Sequence, residues 1–184
     1  MHQFHTAHRS MNLITLRLRL RPFHSADINA TYLSWLNDLE VTRFSNQRFI
    51  EHTADSCAVY LSHFERSGNN FLLIEKTQDQ RPIGTATVYR KSQHGTAEIG
   101  LLIGERRCWG QGYGREAWQA VLEALLAEEG MRKVTGGTAH PNRAMVRIME
   151  QSGMELESVR VDQELIEGNL VDLLYYARFA EPAA

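Results

Sequence analysis

The stretch from Ala97 to Glu129 constrains this chain more than any other. It opens with a segment, Ala97 to Ile103, that is apolar apart from Glu98 and Gly100 and reads as a strand. A turn rich in glycine and arginine follows, Gly104 to Gly114, closing on Trp109-Gly110-Gln111-Gly112-Tyr113-Gly114. Directly after it Ala117, Trp118, Val121, Leu122, Leu125 and Leu126 recur at helical spacing up to a stop at Gly130, so a long amphipathic helix begins where the glycines end. Glycine removes the side chains that would keep a ligand off the backbone. The free N–H groups and positive dipole end of a helix favour an anion. Together they predict a cradle for a phosphate or pyrophosphate, while the apolar stripe of the helix is core rather than cofactor contact.

The formal net charge of −2, from 20 Lys and Arg against 22 Asp and Glu, provides no general basic field for nucleic acid, so any anion site is local. A chain of 184 residues, 43% of them hydrophobic, suits one domain with its own core. Cys57 and Cys108 cannot frame a disulfide fold, and no CxxC spacing points to zinc or redox work. No metal is therefore expected, and a reduced, cytoplasmic setting is the simplest reading. No apolar run reaches the length of a membrane span. Residues 1–10 carry His2, His5 and His8 but no apolar signal-peptide region, and are expected to be a disordered tail. The domain is then expected to cover residues 11–184.

Along the chain, Ile14, Leu16, Leu18 and Leu20 alternate with Thr15, Arg17 and Arg19 as in a half-buried strand closed by Pro22. Ser25 is the expected cap of a helix that places Ile28, Tyr32, Trp35, Leu36 and Leu39 on one face. Asn37 to Ile50 loses periodicity, and Thr53 caps a second helix ending at Gly68. Strands at Phe71 to Glu75 and Ile83 to Tyr89 lead by tight turns into the opening strand, an antiparallel meander. After the long helix come a strand at Lys133 to Thr138 and a helix with Pro141 at its first position and Gly153 at its end. Two closing strands, Met154 to Ile166 and Leu170 to Phe179, complete the order β-α-α-β-β-β-α-β-α-β-β, a single mixed α/β domain.

With this order in view, the sequence resembles the GNAT superfamily of acetyl-CoA-dependent N-acetyltransferases, and within it the branch of RimJ- and RimL-type acetyltransferases of ribosomal-protein N-termini. The resemblance extends from about Met11 onward and implies an α/β (α+β) fold: a mixed, mostly antiparallel central sheet flanked by helices. The family pattern [Gln/Arg]-x-x-Gly-x-[Gly/Ala] is matched by Trp109 to Gly114, with Trp109 standing where Gln or Arg is usual. It implies that the backbone of Gly110, Gln111, Gly112, Tyr113 and Gly114 holds the coenzyme A pyrophosphate, with Trp109, Arg107 and Arg115 beside it. It also implies that backbone amides of Leu101, Leu102 and Ile103 orient the pantetheine arm near Asn142. The Asn-bearing helix is matched by His140 to Met145 and Gln151 to Met154. Methionines Met145 and Met149 occupy positions where branches of the family carry a proton donor.

Glu98 matches in spacing and context the catalytic glutamate of some GNAT histone acetyltransferases, and is the candidate base. A strand glutamate can equally pair with an arginine or face solvent. Arg106, Arg107 and Arg115 read either as phosphate contacts or as solvated charges. Cys108 has no visible His and acid partners for nucleophilic chemistry, and His140 reads either as a proton relay or as a loop histidine before Pro141 that serves packing or solvent. The segment between the first two helices overhangs the acceptor site in the family, which implies substrate contacts from Trp35, Asp38, Phe44 and Arg48. The bland account makes Trp35 core and the rest loop. The acceptor is then a peptide N-terminus or a small amine. Tyr32 to Val41 resembles a segment of GNAT members associated with sugar amines, which keeps an amino sugar or antibiotic open. A catalytically silent acyl-CoA-binding module is the reading from another class, and a homodimer is implied by family habit alone.

Overall fold

In the computed structural model, which describes residues 11–181, eight strands form one sheet. In chain order they are β1 (Leu13–Ile14), β2 (Leu18–Pro22), β3 (Asn70–Lys76), β4 (Pro82–Lys91), β5 (Thr96–Ile103), β6 (Lys133–Ala139), β7 (Glu155–Ile166) and β8 (Asn169–Phe179). Their spatial order is β1-β2-β3-β4-β5-β6-β8-β7. Neighbours run antiparallel except β5 and β6. Five α-helices connect them: α1 (Ala30–Leu36), α2 (Leu39–Thr42), α3 (Ala54–Glu65), α4 (Tyr113–Leu126) and α5 (Arg143–Gln151). The expected tail at residues 1–10 lies outside the described residues.

Alternation along the strands sends side chains to two cores. On one face Leu72, Ile74, Ala97 and Ile99 meet the α4 stripe of Ala117, Trp118, Val121, Leu122 and Leu125. Burying each large member of that stripe stabilises the fold by roughly 1.5–3 kcal/mol. On the other face Phe71 and Leu73 meet an aromatic cluster from α1 and α3, including Tyr32, Trp35 and Phe64. Trp35 lies directly on Gly104, where a Cβ would come within 2.2 Å of the indole.

Three expectations are corrected. The first strand is folded into the β1–β2 hairpin, because Thr15 bonds back to Leu18; Ile14 and Leu16 face solvent, and only Leu18 and Leu20 reach the core. The helix expected from Ser25 starts with Asn29 as its cap, whose side chain accepts from the amides of Thr31 and Tyr32. It breaks after Leu36, where Asp38 caps α2, and Leu39 points outward. Pro141 precedes the cap of α5, which is Asn142. Thr53 caps α3 as its sequence implied, in a reciprocal box with Ser56.

Candidate active site

The site begins where the sheet parts. β5 and β6 pair only at Thr96↔Lys133, Ala97↔Val134 and Glu98↔Thr135. Beyond them β5 continues to Ile103 and β6 to Ala139 without a bond between the two. The Trp118 indole packs against β6 just past the last pair, where a Cβ on Gly136 would lie 2.5 Å from the ring. Two cavities occupy the space, of about 810 and about 490 Å³. Both are lined by Phe44, Ser45, Leu101, Leu102, Asn142 and Met145, which mark their junction.

The larger cavity runs along Leu101 to Ile103 to the glycine turn. Gly110 and Gly112 adopt the left-handed conformation, with φ of 71° and 82°. Gly112 caps α4 without any side chain accepting from the first-turn amides. Such a turn directs successive N–H groups outward at the positive end of a helix and fits a pyrophosphate. Arg115 and Arg147 join the lining, supplying the positive charge that phosphates require. Gly114 lets α4 approach α5, since a Cβ there would meet Ile148 at 3.2 Å. The residues present therefore fit coenzyme A, with its phosphates at the turn and its arm along the β5 edge.

The turn is braced from behind. Arg17 donates through Nη1 to the Gln111 carbonyl (3.0 Å) and through Nε to Glu116 Oε2 (2.6 Å), and its guanidinium lies 4.3 Å from the Tyr113 ring centre. Glu116 Oε1 also accepts from the Thr15 hydroxyl (2.6 Å) and the Arg17 amide (2.8 Å). Trp109, in the position usual for Gln or Arg, donates its indole N–H to the Ile103 carbonyl at 2.7 Å and ties the turn to the end of β5. Gln111 Nε2 donates to the Arg107 carbonyl.

Burial would raise the Glu116 carboxyl, but the bonds from Thr15 and Arg17 outweigh it and hold the group below its ordinary value. A carboxyl depressed in the folded state contributes stability above its unfolded pKa, and this is lost as pH falls through the folded one. Glu116→Gln is thus expected to cost about 1–2 kcal/mol at pH 7. The gap should narrow steadily as urea denaturation is repeated from pH 5 downward. A pH-independent difference would show that the charge plays no part.

Other residues singled out in the sequence are distributed as follows. Asn142 accepts from the Met145 amide (3.3 Å) and donates to the Thr138 hydroxyl (3.0 Å), fixing the end of β6 against α5 at the cavity junction. Glu98 is exposed beside the parting, with no hydrogen-bond or ion-pair partner among the described residues, and lines neither cavity. Phe44 lines both. Trp35 is buried core, Asp38 caps α2 and faces Arg106 at 3.6 Å, and Arg48 is held by Glu164, the Leu165 carbonyl and the Ser45 carbonyl. Arg107 and Tyr113 lie outside both linings, and Cys108 is buried at the edge of the larger cavity. Met149 is fully buried, while Met145 stands at the junction.

The sequence reading missed His52, which lines the smaller cavity. Its Nε2 lies 3.1 Å from the Gln47 carbonyl. A carbonyl can only accept, so Nε2 carries the proton and Nδ1 is left as the basic nitrogen. Among the described residues no cluster of three or more His, Cys, Asp or Glu is placed to hold a metal, and no helix is long and apolar enough to cross a membrane.

Two cavities that meet at a shared lining have room for two ligands side by side. A family model described as an acetyltransferase (GNAT) domain matches residues 17–155. The chain belongs to the GNAT family of acetyltransferases, and it is an acyltransferase that takes acetyl-CoA as donor. Similar solved structures include a GNAT-family acetyltransferase from Bacillus anthracis, 20% identical with a TM-score of 0.78 over 92% of this chain and 99% of that one. RimL, the ribosomal L7/L12 alpha-N-protein acetyltransferase in complex with coenzyme A, is 17% identical, with a TM-score of 0.78 over 91% and 96%. Spermidine N-acetyltransferase from Vibrio cholerae, in complex with CoA and spermine, is 19% identical, with a TM-score of 0.79 over 90% and 97%. At these identities the likeness is one of fold. No curated protein matches the sequence.

Proposed function

We propose that this protein transfers an acetyl group from acetyl-CoA to a primary amine in the smaller cavity, by direct attack in a ternary complex. The observation that carries the reading is the shared lining at Leu101, Leu102, Asn142 and Met145, which brings the two cavities together. An amine and a thioester held there meet without a covalent enzyme intermediate, and orientation supplies much of the rate. Burial pushes the Cys57 thiol up and so keeps it a poor nucleophile, which agrees with direct transfer, and both cysteines are free, which agrees with a reducing, cytoplasmic setting. RimL and the spermidine enzyme, by their own descriptions, act on a protein N-terminus and a polyamine. An amine acceptor and a RimJ/RimL-like branch are in keeping with both.

The turn from Gly110 to Gly114 holds the donor's phosphates, and the free edge of β5 at Leu101 to Ile103 aligns its arm and polarises the reacting carbonyl. Acetyl-CoA supplies the thioester: an N–C bond replaces its C–S bond, the proton that the amine loses goes to a base, and coenzyme A leaves as the thiolate, which takes up a proton from that base or from solvent to become the thiol. Glu98 is the base assigned by spacing, on the same sheet face as the acceptor cavity, because Tyr89, its partner across the ladder, lines that cavity. A second assignment, His52, is favoured by its place in the lining and its free Nδ1. Release of free thiol from acetyl-CoA is expected only when an amine is added. No release with any amine, while calorimetry shows coenzyme A bound, would leave a silent acyl-CoA-binding module.

A further inference from the structure

The acceptor cavity takes its floor from the face of β4. Thr85, Thr87 and Tyr89 alternate with core residues and lie opposite Leu102, Gly100 and Glu98 of β5. Thr85 as a residue is only 6% exposed, and its hydroxyl has no hydrogen-bond partner among the described residues. That oxygen is not among the fully buried unpartnered atoms, so it opens onto the cavity that Thr85 lines and is free to bond what fills it. The Thr87 hydroxyl is likewise unpartnered, and it occupies space that only glycine at position 100 leaves open: a Cβ on Gly100 would come within 2.5 Å of it. On the other side the side-chain amide of Gln47 makes no bond among the described residues either. Three neutral polar groups therefore converge beside an aromatic wall that includes Phe44 and Phe71.

The cavity is also uncharged. None of its lining residues is Asp, Glu, Lys or Arg, and its volume suits one small molecule. Burial pushes up the Cys57 thiol and the hydroxyls of Tyr32 and Tyr60, keeping all three neutral at physiological pH. A polyamine would bring further ammonium groups with no carboxylate in the lining to meet them, and an uncompensated charge in such a site is unfavourable. For a peptide, the floor offers the face of a sheet rather than an edge that could pair with a main chain. What matches is a molecule with a single amine, several hydroxyls and an apolar C–H face.

We propose that the acceptor is an amino sugar, its ring hydroxyls bound by Thr85, Thr87 and Gln47 and its C–H face set against Phe44 and Phe71. This rests on the transfer reading above. The test is thiol release from acetyl-CoA with amino hexoses bearing the amine at carbon 2, 3, 4 or 6, with spermidine, and with tetra-alanine. At least one amino hexose is expected to exceed both others in kcat/KM by about tenfold or more, and Thr85→Val to raise its KM about tenfold while leaving the KM for acetyl-CoA unchanged. A preference for spermidine or the peptide, or an unaltered sugar KM in Thr85→Val, overturns the assignment. Failure of every acceptor in a protein that still binds coenzyme A overturns the transfer reading itself, and the sugar assignment with it.

Discussion

Replacing Gly112 with glutamate is expected to raise the dissociation constant for coenzyme A by about a hundredfold or more. Two effects add. At φ of 82° any L side chain is strained, by roughly 1–2 kcal/mol, and relieving that strain turns the amides away from the cradle. A carboxylate at the start of α4 also replaces the attraction between helix end and phosphate with repulsion between like charges. Each 1.4 kcal/mol is tenfold in affinity, so about 3 kcal/mol in total gives the expected loss. Gly112→Ala carries the strain without the charge and should lose about tenfold. Titration calorimetry with coenzyme A separates the two, and parental affinity in Gly112→Glu would remove the pyrophosphate from this turn.

The second large effect concerns the base. Losing the group that accepts the amine proton should lower kcat/KM by about 10²- to 10⁴-fold. Glu98→Gln and His52→Asn are the discriminating pair. Glu98 is exposed and unpartnered among the described residues, so glutamine there should leave thermal stability unchanged. The variant that loses the base should also lose the rise of activity with pH expected of the parent, while the other keeps the parental profile within a few-fold. Near-normal turnover in Glu98→Gln with collapse in His52→Asn would move the base from β5 to the segment before α3.

What could be read in the sequence was local. Gly110 and Gly112 stand out because a left-handed backbone needs glycine, and α4 because its apolar residues keep one period for several turns. Thr53 signals the start of α3 by itself. The Arg17–Glu116 brace has no such signal, since the partners lie 99 residues apart and meet only when β2 and α4 share a face of the sheet. Trp35 reads in the sequence either as core or toward the substrate, and it is core because Gly104 leaves a space that its ring fills. Thr85 and Thr87 fall at alternate positions within the strand read at Ile83 to Tyr89. Their lack of partners is a property of the folded cavity alone.

The parting of β5 from β6 has a further consequence for aggregation and selectivity. An unpaired strand edge normally lies at the rim of a sheet, where another chain can add to it and nucleate a fibril. Here an edge is opened in the middle of the sheet, between two strands that are still joined at Glu98 and Thr135. A polypeptide would have to thread that fork end-on, whereas a slender chain with its own amide groups can slide in from the mouth. The closed end of the fork thus confines any strand that could add to β5 on this side to the short stretch past Glu98.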